Sequence, residues 1–250
     1  MIPMVSMREI SFSYTDAQTS VSVLEKVSLT VLPGEFVCIL GNSGCGKSTL
    51  LRVLAGFEQY HEGLLLIEDR RVSSPSMDRI MIFQEFDQLF PWKTVYENML
   101  FPLKKRYPKM SALELKGYIE SYLERAGMLS HKDKYPHELS GGMKQRAALA
   151  RALAIRPKVL LMDEPFASLD PKSRSAQQRL VIELWKETDT SVVFVTHDVG
   201  EAIILSDTLY TMDESNGGRL QRYDNPLQRP RQCSMEGFDT FSSMIHRTYD

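Results

Sequence analysis

Residues 41–48 read GNSGCGKS and directly follow the apolar run FVCIL at 36–40. The octet matches the pattern G-x-x-x-x-G-K-[ST], in which glycines let the backbone wrap around phosphate groups with its N–H groups pointing inward. A helical pattern opens near Lys47 and adds the positive end of a helix dipole. Lys47 supplies a charge for the outer phosphates, and Ser48 offers a hydroxyl to Mg²⁺. The stretch therefore predicts a strand, a phosphate-binding loop and a helix in succession.

Short apolar runs indicate a buried sheet. Besides residues 36–40, they lie at 80–83, 159–162 and 192–195. Each is too short for a membrane helix and too uniformly apolar for a strand with one wet face, as is typical of parallel strands covered on both sides. Helical patterns lie between the runs, and this alternation favours an α/β architecture.

Polar residues follow each apolar run. The glycine loop follows the first run, Gln84 the second, Asp163 and Glu164 the third, and Thr196 and His197 the fourth. Ligands of parallel α/β sheets bind outside the carboxyl ends of the strands, so we expect these groups to face one crevice. The alternative is that polar residues merely end strands.

Phosphoryl transfer requires a metal, a positioned water and charge stabilisation. Asp163 is placed to hold Mg²⁺ directly or through water, and Glu164 to orient or deprotonate the attacking water. Because adjacent residues on an extended chain point to opposite sides, we expect two different roles for this pair. His197 is a candidate contact of the γ-phosphate, and Gln84 of the metal or the water.

Composition sets broad limits on the function. The chain has 250 residues, of which 43% are hydrophobic and 25% charged, values typical of a soluble globular protein. Lys and Arg total 30 against 32 Asp and Glu. The chain therefore lacks the excess of basic residues that is typical of a dedicated nucleic-acid binder. Three scattered cysteines fit a reducing compartment. No secretory signal is evident, and no apolar run approaches the roughly 18 residues of a membrane helix.

The segment from 89 to 154 has a helical pattern and is expected to form an inserted helical subdomain. Ser111 and Glu114 have the spacing of a capping box. The last residues, from Asn225 to Asp250, contain Phe238, Phe241 and Ile245. We expect them to form a short helix packed on the core, with a partner contact as the alternative.

Residues 139–146 read LSGGMKQR and precede an alanine-rich helical pattern. Ser140 is a candidate N-cap, and the helix end with Gly141 and Gly142 is a second anion-binding surface. One phosphate loop is sufficient to bind one triphosphate within a chain. A second helix end suited to phosphate therefore suggests that two chains share each nucleotide. The alternative is an ordinary capped helix.

These motifs together resemble those of the nucleotide-binding subunits of ATP-binding cassette (ABC) transporters, from about Arg8 to Asp224. The matches stand in the family's order: Walker A at 41–49, the Q-loop at Gln84, the signature at 139–143, Walker B at 159–164, the D-loop at 168–170 and the switch histidine at His197. The resemblance implies ATP and Mg²⁺ as ligands. It assigns catalytic roles to Glu164, His197 and Gln84, and metal contacts to Ser48, Gln84 and Asp163.

The resemblance also implies a set of ATP contacts. They are Tyr14, Gly41, Asn42, Ser43, Gly44, Cys45, Gly46, Lys47, Ser48, Thr49, Ser140, Gly141, Gly142 and Asp170. Tyr14 stands where the family places an aromatic that stacks on adenine, although either Tyr14 or the nearby Phe12 could instead belong to the core. Cys45 lies near Lys47 and a helix N-terminus, which favours a thiolate, so alkylators are predicted to inhibit and ATP to protect. The alternative is a small residue that merely fits the loop.

The fold implied by the resemblance is an α/β P-loop NTPase (RecA-like) core with a mostly parallel sheet and an N-terminal antiparallel β part. The ATPase domain would span 1–230, with its core at 1–88 and 155–230, the helical subdomain at 89–154 and a short tail at 231–250. Two copies would form a head-to-tail dimer with two ATP molecules between Lys47 of one copy and residues 140–142 of the other. The implied partners are membrane permease subunits and, indirectly, a substrate-binding protein. The implied location is peripheral, at the cytoplasmic face of the membrane.

Residues 83–92, which end in Pro91-Trp92, look like those of importers of the nitrate, sulfonate or taurine type. In that interpretation Trp92 lines a groove for a helix of the permease, and the alternative is a Trp buried in the helical subdomain. The stretch 212–219 departs from the usual ending of that class and leaves the substrate open.

The sequence disfavours three other functions. A soluble cassette ATPase of the DNA-repair or translation type usually carries two cassettes or a long coiled coil, and this chain has one cassette and no sustained heptads. Residues 140–142 and the Asp163-Glu164 pair argue against a P-loop kinase or GTPase. A non-catalytic regulator is disfavoured because Lys47, the acidic pair and His197 are all present.

Overall fold

The computed structural model describes residues 2–15, 19–84, 88–213 and 217–249. Its strands are β1 (Val5–Thr15), β2 (Ser20–Val31), β3 (Phe36–Gly41), β4 (Glu62–Ile67), β5 (Arg70–Arg71), β6 (Arg79–Ile82), β7 (Val159–Asp163), β8 (Ser191–Thr196), β9 (Thr208–Asp213) and β10 (Arg219–Asp224). Its α-helices are α1 (Lys47–Ala55), α2 (Val95–Arg106), α3 (Ala112–Arg125), α4 (Gly141–Ala154), α5 (Pro171–Lys186), α6 (Val199–Leu205) and α7 (Phe238–Tyr249). Two 3₁₀ turns, Leu129–His131 and Pro136–Glu138, lie between α3 and α4.

The larger sheet has the order β10-β9-β3-β8-β7-β6. All of its neighbouring strands run parallel except the antiparallel pair β9 and β10. The four apolar runs of the sequence are its strands β3, β6, β7 and β8, so the prediction of a mostly parallel sheet is confirmed.

Alternate side chains of the central strands enter two separate cores, which explains why these strands are apolar throughout. In β3, Phe36 and Cys38 pack on the helical side, whereas Val37 and Ile39 pack against the second sheet. A strand that is covered on both faces keeps no polar position in its middle. The functional groups must therefore lie at the ends of the strands.

The smaller sheet is antiparallel with the order β2-β1-β4-β5 and confirms the predicted N-terminal antiparallel part. Helix α1 is packed between this sheet and the parallel one, with Leu50, Leu51 and Leu54 fully buried. The phosphate loop is thus joined to a helix that is held by both sheets.

Helices α2, α3 and α4 form a strand-free block within 95–154, and their apolar faces share one core with the parallel sheet. Ser111 caps α3 in the predicted capping box with Glu114. The C-terminal helix α7 packs on the core through buried Phe238, Phe241 and Ile245, which confirms the preferred interpretation of the tail. In the described ranges, no helix is long and apolar enough to span a bilayer.

Candidate active site

The loop between β3 and α1 wraps tightly because its glycines have no side chains. A Cβ on Gly41 would lie 2.6 Å from the Cys45 sulfur and 3.0 Å from the Met212 carbonyl oxygen. Gly46 has a φ of 104° immediately before the first turn of α1, in the left-handed region that favours glycine. The sequence pattern therefore reflects a steric requirement of this turn.

Lys47 folds back over the loop, and its side chain is only 4% exposed. Its ammonium donates to the carbonyl oxygens of Gly41 at 2.7 Å and Asn42 at 2.8 Å. The same Nζ lies 3.3 Å from Oε1 of Glu164. An ammonium has three N–H donors, so these three contacts use its whole capacity.

Ser48 and Asp163 join the start of α1 to the end of β7. The Ser48 hydroxyl donates to Oδ1 of Asp163 at 3.0 Å. Burial raises the pKa of the Asp163 carboxyl, and the Ser48 hydrogen bond and the Lys47 charge only partly oppose this. A cation beside Asp163 would stabilise the buried carboxylate.

These two oxygens fit a magnesium ion. Mg²⁺ prefers oxygen ligands and is usually held by one or two carboxylates or hydroxyls, with the remaining positions taken by water and substrate phosphates. Among the described residues, no cluster of three or more His, Cys, Asp or Glu side chains offers a complete cage. The donor set therefore suits a metal that arrives with a phosphate ligand.

Glu164 joins two predicted site residues. Its backbone has a φ of 41°, so the chain is no longer extended there, and the premise that Asp163 and Glu164 alternate along a strand is wrong. The two carboxylates nevertheless have different partners, because the chain turns at Glu164. Glu164 Oε2 lies 2.8 Å from Nδ1 of His197, and Oε1 faces Lys47. The ends of β3, β7 and β8 thus bring Lys47, Glu164 and His197 together, as the sequence predicts.

The second anion-binding candidate, residues 140–142, lies elsewhere on this chain. Ser140 caps α4 and accepts from the Met143 N–H at 3.4 Å. Among the described residues, no hydrogen bond or ion pair joins residues 140–142 to the phosphate loop. Asp170 is exposed and caps α5, accepting from the N–H groups of Lys172 and Ser173.

Two buried glutamines connect α4 to neighbouring segments, and the sequence reasoning missed them. Gln145 donates to the carbonyl oxygen of Pro165, next to Glu164, and Gln177 of α5 donates to the carbonyl oxygen of Gly142 at 3.0 Å. Both side chains are buried, and the Oε1 atom of each has no partner in the described residues. The available signal was a polar residue on the apolar face of an amphipathic helix.

The structure separates the two aromatic candidates near the loop. Phe12 is a core residue, whereas Tyr14 is 41% exposed and its hydroxyl lies 3.4 Å from Oγ1 of Thr49. The Tyr14 ring meets Phe12 edge to face, with centroids 4.8 Å apart. Tyr14 is therefore the one of the two that can meet a ligand at the loop.

Three other predicted residues are placed as follows. Gln84 is exposed two residues beyond the end of β6. Cys45 is buried, so its thiol is shielded where it lies. Trp92 is 70% exposed, and the alternative of a Trp buried in the helical subdomain is wrong. Residues 85–87 of the segment before Trp92, and residues 214–216 of the stretch 212–219, lie outside the described residues.

A family model described as "ABC transporter" matches residues 24–167. The aliphatic sulfonates import ATP-binding protein of Bacillus cereus is 38% identical over 248 residues, covering 98% of this chain and 96% of that protein. The nitrate import ATP-binding protein of Synechococcus elongatus is 44% identical over 218 residues. That alignment covers 85% of this chain but only 33% of the nitrate protein, so this chain spans about a third of that relative's length.

The fold also matches solved structures. The dimeric post-hydrolysis structure of an ATP-binding cassette bound to ADP and Pi superposes with a TM-score of 0.78 at 30% identity. The match covers 90% of this chain and all of that one.

Proposed function

Because the chain belongs to the ABC transporter family, we propose that it is the ATP-hydrolysing subunit of a membrane importer of small anions. The observation that carries this proposal is the meeting of Lys47, Glu164 and His197 at the ends of three strands, beside the Ser48–Asp163 pair. Phosphate binding, metal binding and water activation need these groups within one small region.

Each group has a role that follows from its surroundings. Lys47 and the N–H groups of the loop bind the phosphates, and Tyr14 provides an aromatic face for the base. Ser48 and Asp163 would hold Mg²⁺, with Gln84 as a third candidate ligand. The ion would neutralise part of the charge of the phosphates. Glu164 accepts the proton of the attacking water. His197 orients Glu164 through the 2.8 Å contact and is the candidate contact of the γ-phosphate.

A second copy completes the site in this proposal. Ser140 and the first turn of α4 offer N–H groups at a helix N-terminus. Within the described ranges, no hydrogen bond joins this turn to the phosphate loop of the same chain. A helix N-terminus suits a phosphate oxygen, so residues 140–142 of the partner copy would contact the γ-phosphate bound at Lys47. The dimeric cassette with ADP and Pi supports this arrangement by similarity.

The membrane-spanning partner would dock on an aromatic surface at α2. Trp92 and Phe101 are exposed, and the Phe90 ring contacts both. A cleft of about 240 Å³ beside Phe90 and Phe101 is also lined by Arg151. Exposed aromatics with a nearby arginine are typical of a protein interface, which supports permease docking over a soluble ATPase.

The cargo and organisation follow from the relatives. The relatives described above are named for import of sulfonate and nitrate, so we assign small anions as the cargo class. The chain would act peripherally at the cytoplasmic face of the membrane, beside a permease that receives solute from a binding protein. Residues 1–88 and 155–230 would form the ATPase core, 89–154 the helical subdomain, and 231–250 the tail.

Co-purification tests the transporter assignment. A tagged full-length chain is recovered from detergent-solubilised membranes of its own cells, and the bound proteins are identified by mass spectrometry. We expect a subunit with several membrane-spanning segments to accompany the wild type and the control Leu113→Ser, which removes an exposed apolar side chain of α3. The Trp92→Ser variant should lose it. Recovery of an active ATPase without any such subunit would instead support the soluble alternative.

A further inference from the structure

A cleft of about 520 Å³ lies against α5, outside the proposed ATP site. It is bordered by one face of α5, by Ile204 of α6 and by residues 229–233, which precede α7. This volume is within the range of small-molecule sites. None of its lining residues belongs to the phosphate loop, to the acidic pair or to residues 140–142.

The cleft is strongly cationic. Arg179, Lys186, Arg229 and Arg231 line it, and Glu183 is the one acidic side chain among the lining residues. Arg179 and Lys186 are exposed on α5, and neither has an ion pair with another described residue. Their charges are therefore available to a ligand.

Arg231 is the deepest of these cations, with a side chain only 4% exposed. Its Nε donates to the carbonyl oxygen of Leu227 at 2.7 Å, and its Nη2 lies 3.5 Å from Oδ1 of Asp207. The buried Nη1 has no hydrogen-bond partner among the described residues. Burying a guanidinium nitrogen without a hydrogen-bond partner destabilises the fold. A hydrogen-bond acceptor at this nitrogen would remove that cost.

The nearest carboxylate does not meet that need. Asp207 also accepts from Nε of Arg229 at 2.9 Å, so one carboxylate serves two guanidinium groups. Burial, together with the nearby positive charge of Arg229, lowers the pKa of Arg231. An additional anion would balance this charge.

The walls of the cleft are partly apolar, since Ile182, Ile204 and Pro230 also line it. We propose that the cleft binds a small organic anion whose carboxylate, sulfonate or phosphate group accepts hydrogen bonds from Arg231, with Arg179 and Lys186 at its rim and a hydrocarbon part against the isoleucines. Guanidinium groups match the planar and tetrahedral oxygens of such anions, and the apolar walls favour a ligand with a short alkyl portion.

Titration calorimetry on the full chain, saturated with ADP and Mg²⁺ so that the phosphate loop is filled, tests this site without depending on hydrolysis. The probes are hexane-1-sulfonate, inorganic sulfate and hexyltrimethylammonium, a cation of similar size. We expect one hexane-1-sulfonate per chain, weaker binding of sulfate and no binding of the cation. Equal binding of the cation, or of sulfate, would overturn the proposal.

Variants locate the site. Arg231→Gln should raise the Kd of hexane-1-sulfonate about tenfold or more, as expected from the loss of a charged hydrogen bond. The double variant Arg179→Gln, Lys186→Gln removes only exposed charges and should raise the Kd several-fold. Because it leaves the buried Arg231 in place, it tests the site even if Arg231→Gln fails to fold. Lys116→Gln, an equal loss of one exposed charge on α3, should leave the Kd unchanged. Unchanged affinity in the double variant would exclude this cleft.

Discussion

The carboxylate of Glu164 lies 3.3 Å from the ammonium of Lys47, and both side chains are largely buried. A buried ion pair is weakly screened by salt, so it competes with any anion that approaches the loop. A triphosphate that binds Lys47 must therefore displace Glu164 from it. The same carboxylate contacts His197, at the end of β8, through its other oxygen at 2.8 Å. Phosphate binding and the positioning of the candidate base are thus linked through one side chain.

The Glu164→Gln variant should separate binding from chemistry. A neutral amide competes less for Lys47 and does not repel the triphosphate, so ATP should bind more tightly. Turnover should fall about 100-fold or more, because the general base is lost. Nucleotide titration and steady-state ATPase assays measure the two effects. Glu124→Gln, an exposed change on α3, is the control, and near-normal turnover of Glu164→Gln would remove this residue from the catalytic role.

Ser140→Arg should abolish ATP turnover while the monomer still binds ATP. In the proposed dimer, an arginine at the N-cap of α4 would fill the space of a phosphate bound to the partner copy, but it leaves the phosphate loop of its own chain intact. Turnover and ATP affinity are measured in parallel, with Ser121→Arg on α3 as the control. Loss of ATP binding by the monomeric variant would show a folding defect or a wrong assignment.

Mixing two inactive variants tests whether the site is shared between copies. In a heterodimer of Ser140→Arg with Lys47→Ala, both changes fall in one composite site and the other site is intact. The mixture should hydrolyse ATP faster than either variant alone, whereas each homodimer has two damaged sites. If every site lay within one chain, mixing would restore nothing.

The parallel sheet and the strand-end residues could be predicted from the sequence because each depends on a local pattern. An apolar run bounded by polar residues indicates a strand covered on both faces, and the carboxyl ends of parallel strands necessarily share one edge. This shared edge brings together Lys47, Glu164 and His197. Lys47 and His197 are 150 positions apart in the sequence.

Other features depend on contacts that no local pattern encodes. The positive φ of Glu164 arises where the chain leaves β7. Exposure of Trp92 depends on how its loop packs, since a tryptophan suits both a core and an interface. The cationic cleft joins α5 to residues 229–233, more than 40 positions later in the chain, and it exists only because the C-terminal segment folds back on the core.

Thiol labelling should distinguish the three cysteines. Cys233 is exposed, whereas Cys38 and Cys45 are buried, and burial raises the pKa of the Cys38 thiol. N-ethylmaleimide should therefore react rapidly with one thiol per chain, and Cys233→Ser should remove that fast phase. Modification of Cys45 should be slow, should accompany the loss of ATPase activity, and should be slower still with ATP present. Full activity after stoichiometric labelling of Cys45 would contradict its predicted role as an ATP contact.

Glu201 of α6 contributes a pH-dependent term to stability. Its carboxylate accepts from Gln178 at 3.1 Å and from Thr196 at 2.6 Å, next to His197. Burial raises the pKa of Glu201 despite these hydrogen bonds, with a smaller contribution from Asp198 that Arg174 opposes. The ionised carboxylate is therefore less favourable in the fold than in the unfolded chain. This penalty is present at neutral pH and disappears below the unfolded pKa of about 4.3.

The Glu201→Gln variant has no such penalty, and its amide can still accept from Gln178 and donate to Thr196. We therefore expect the free energy of unfolding of the wild type, relative to the variant, to rise as the pH is lowered from about 7 to about 4. Each tenfold change in proton affinity on folding corresponds to about 1.4 kcal/mol. Urea denaturation across this range measures the difference, and exposed Glu124→Gln is the control. A difference that stays constant with pH would show that Glu201 does not titrate differently in the folded chain.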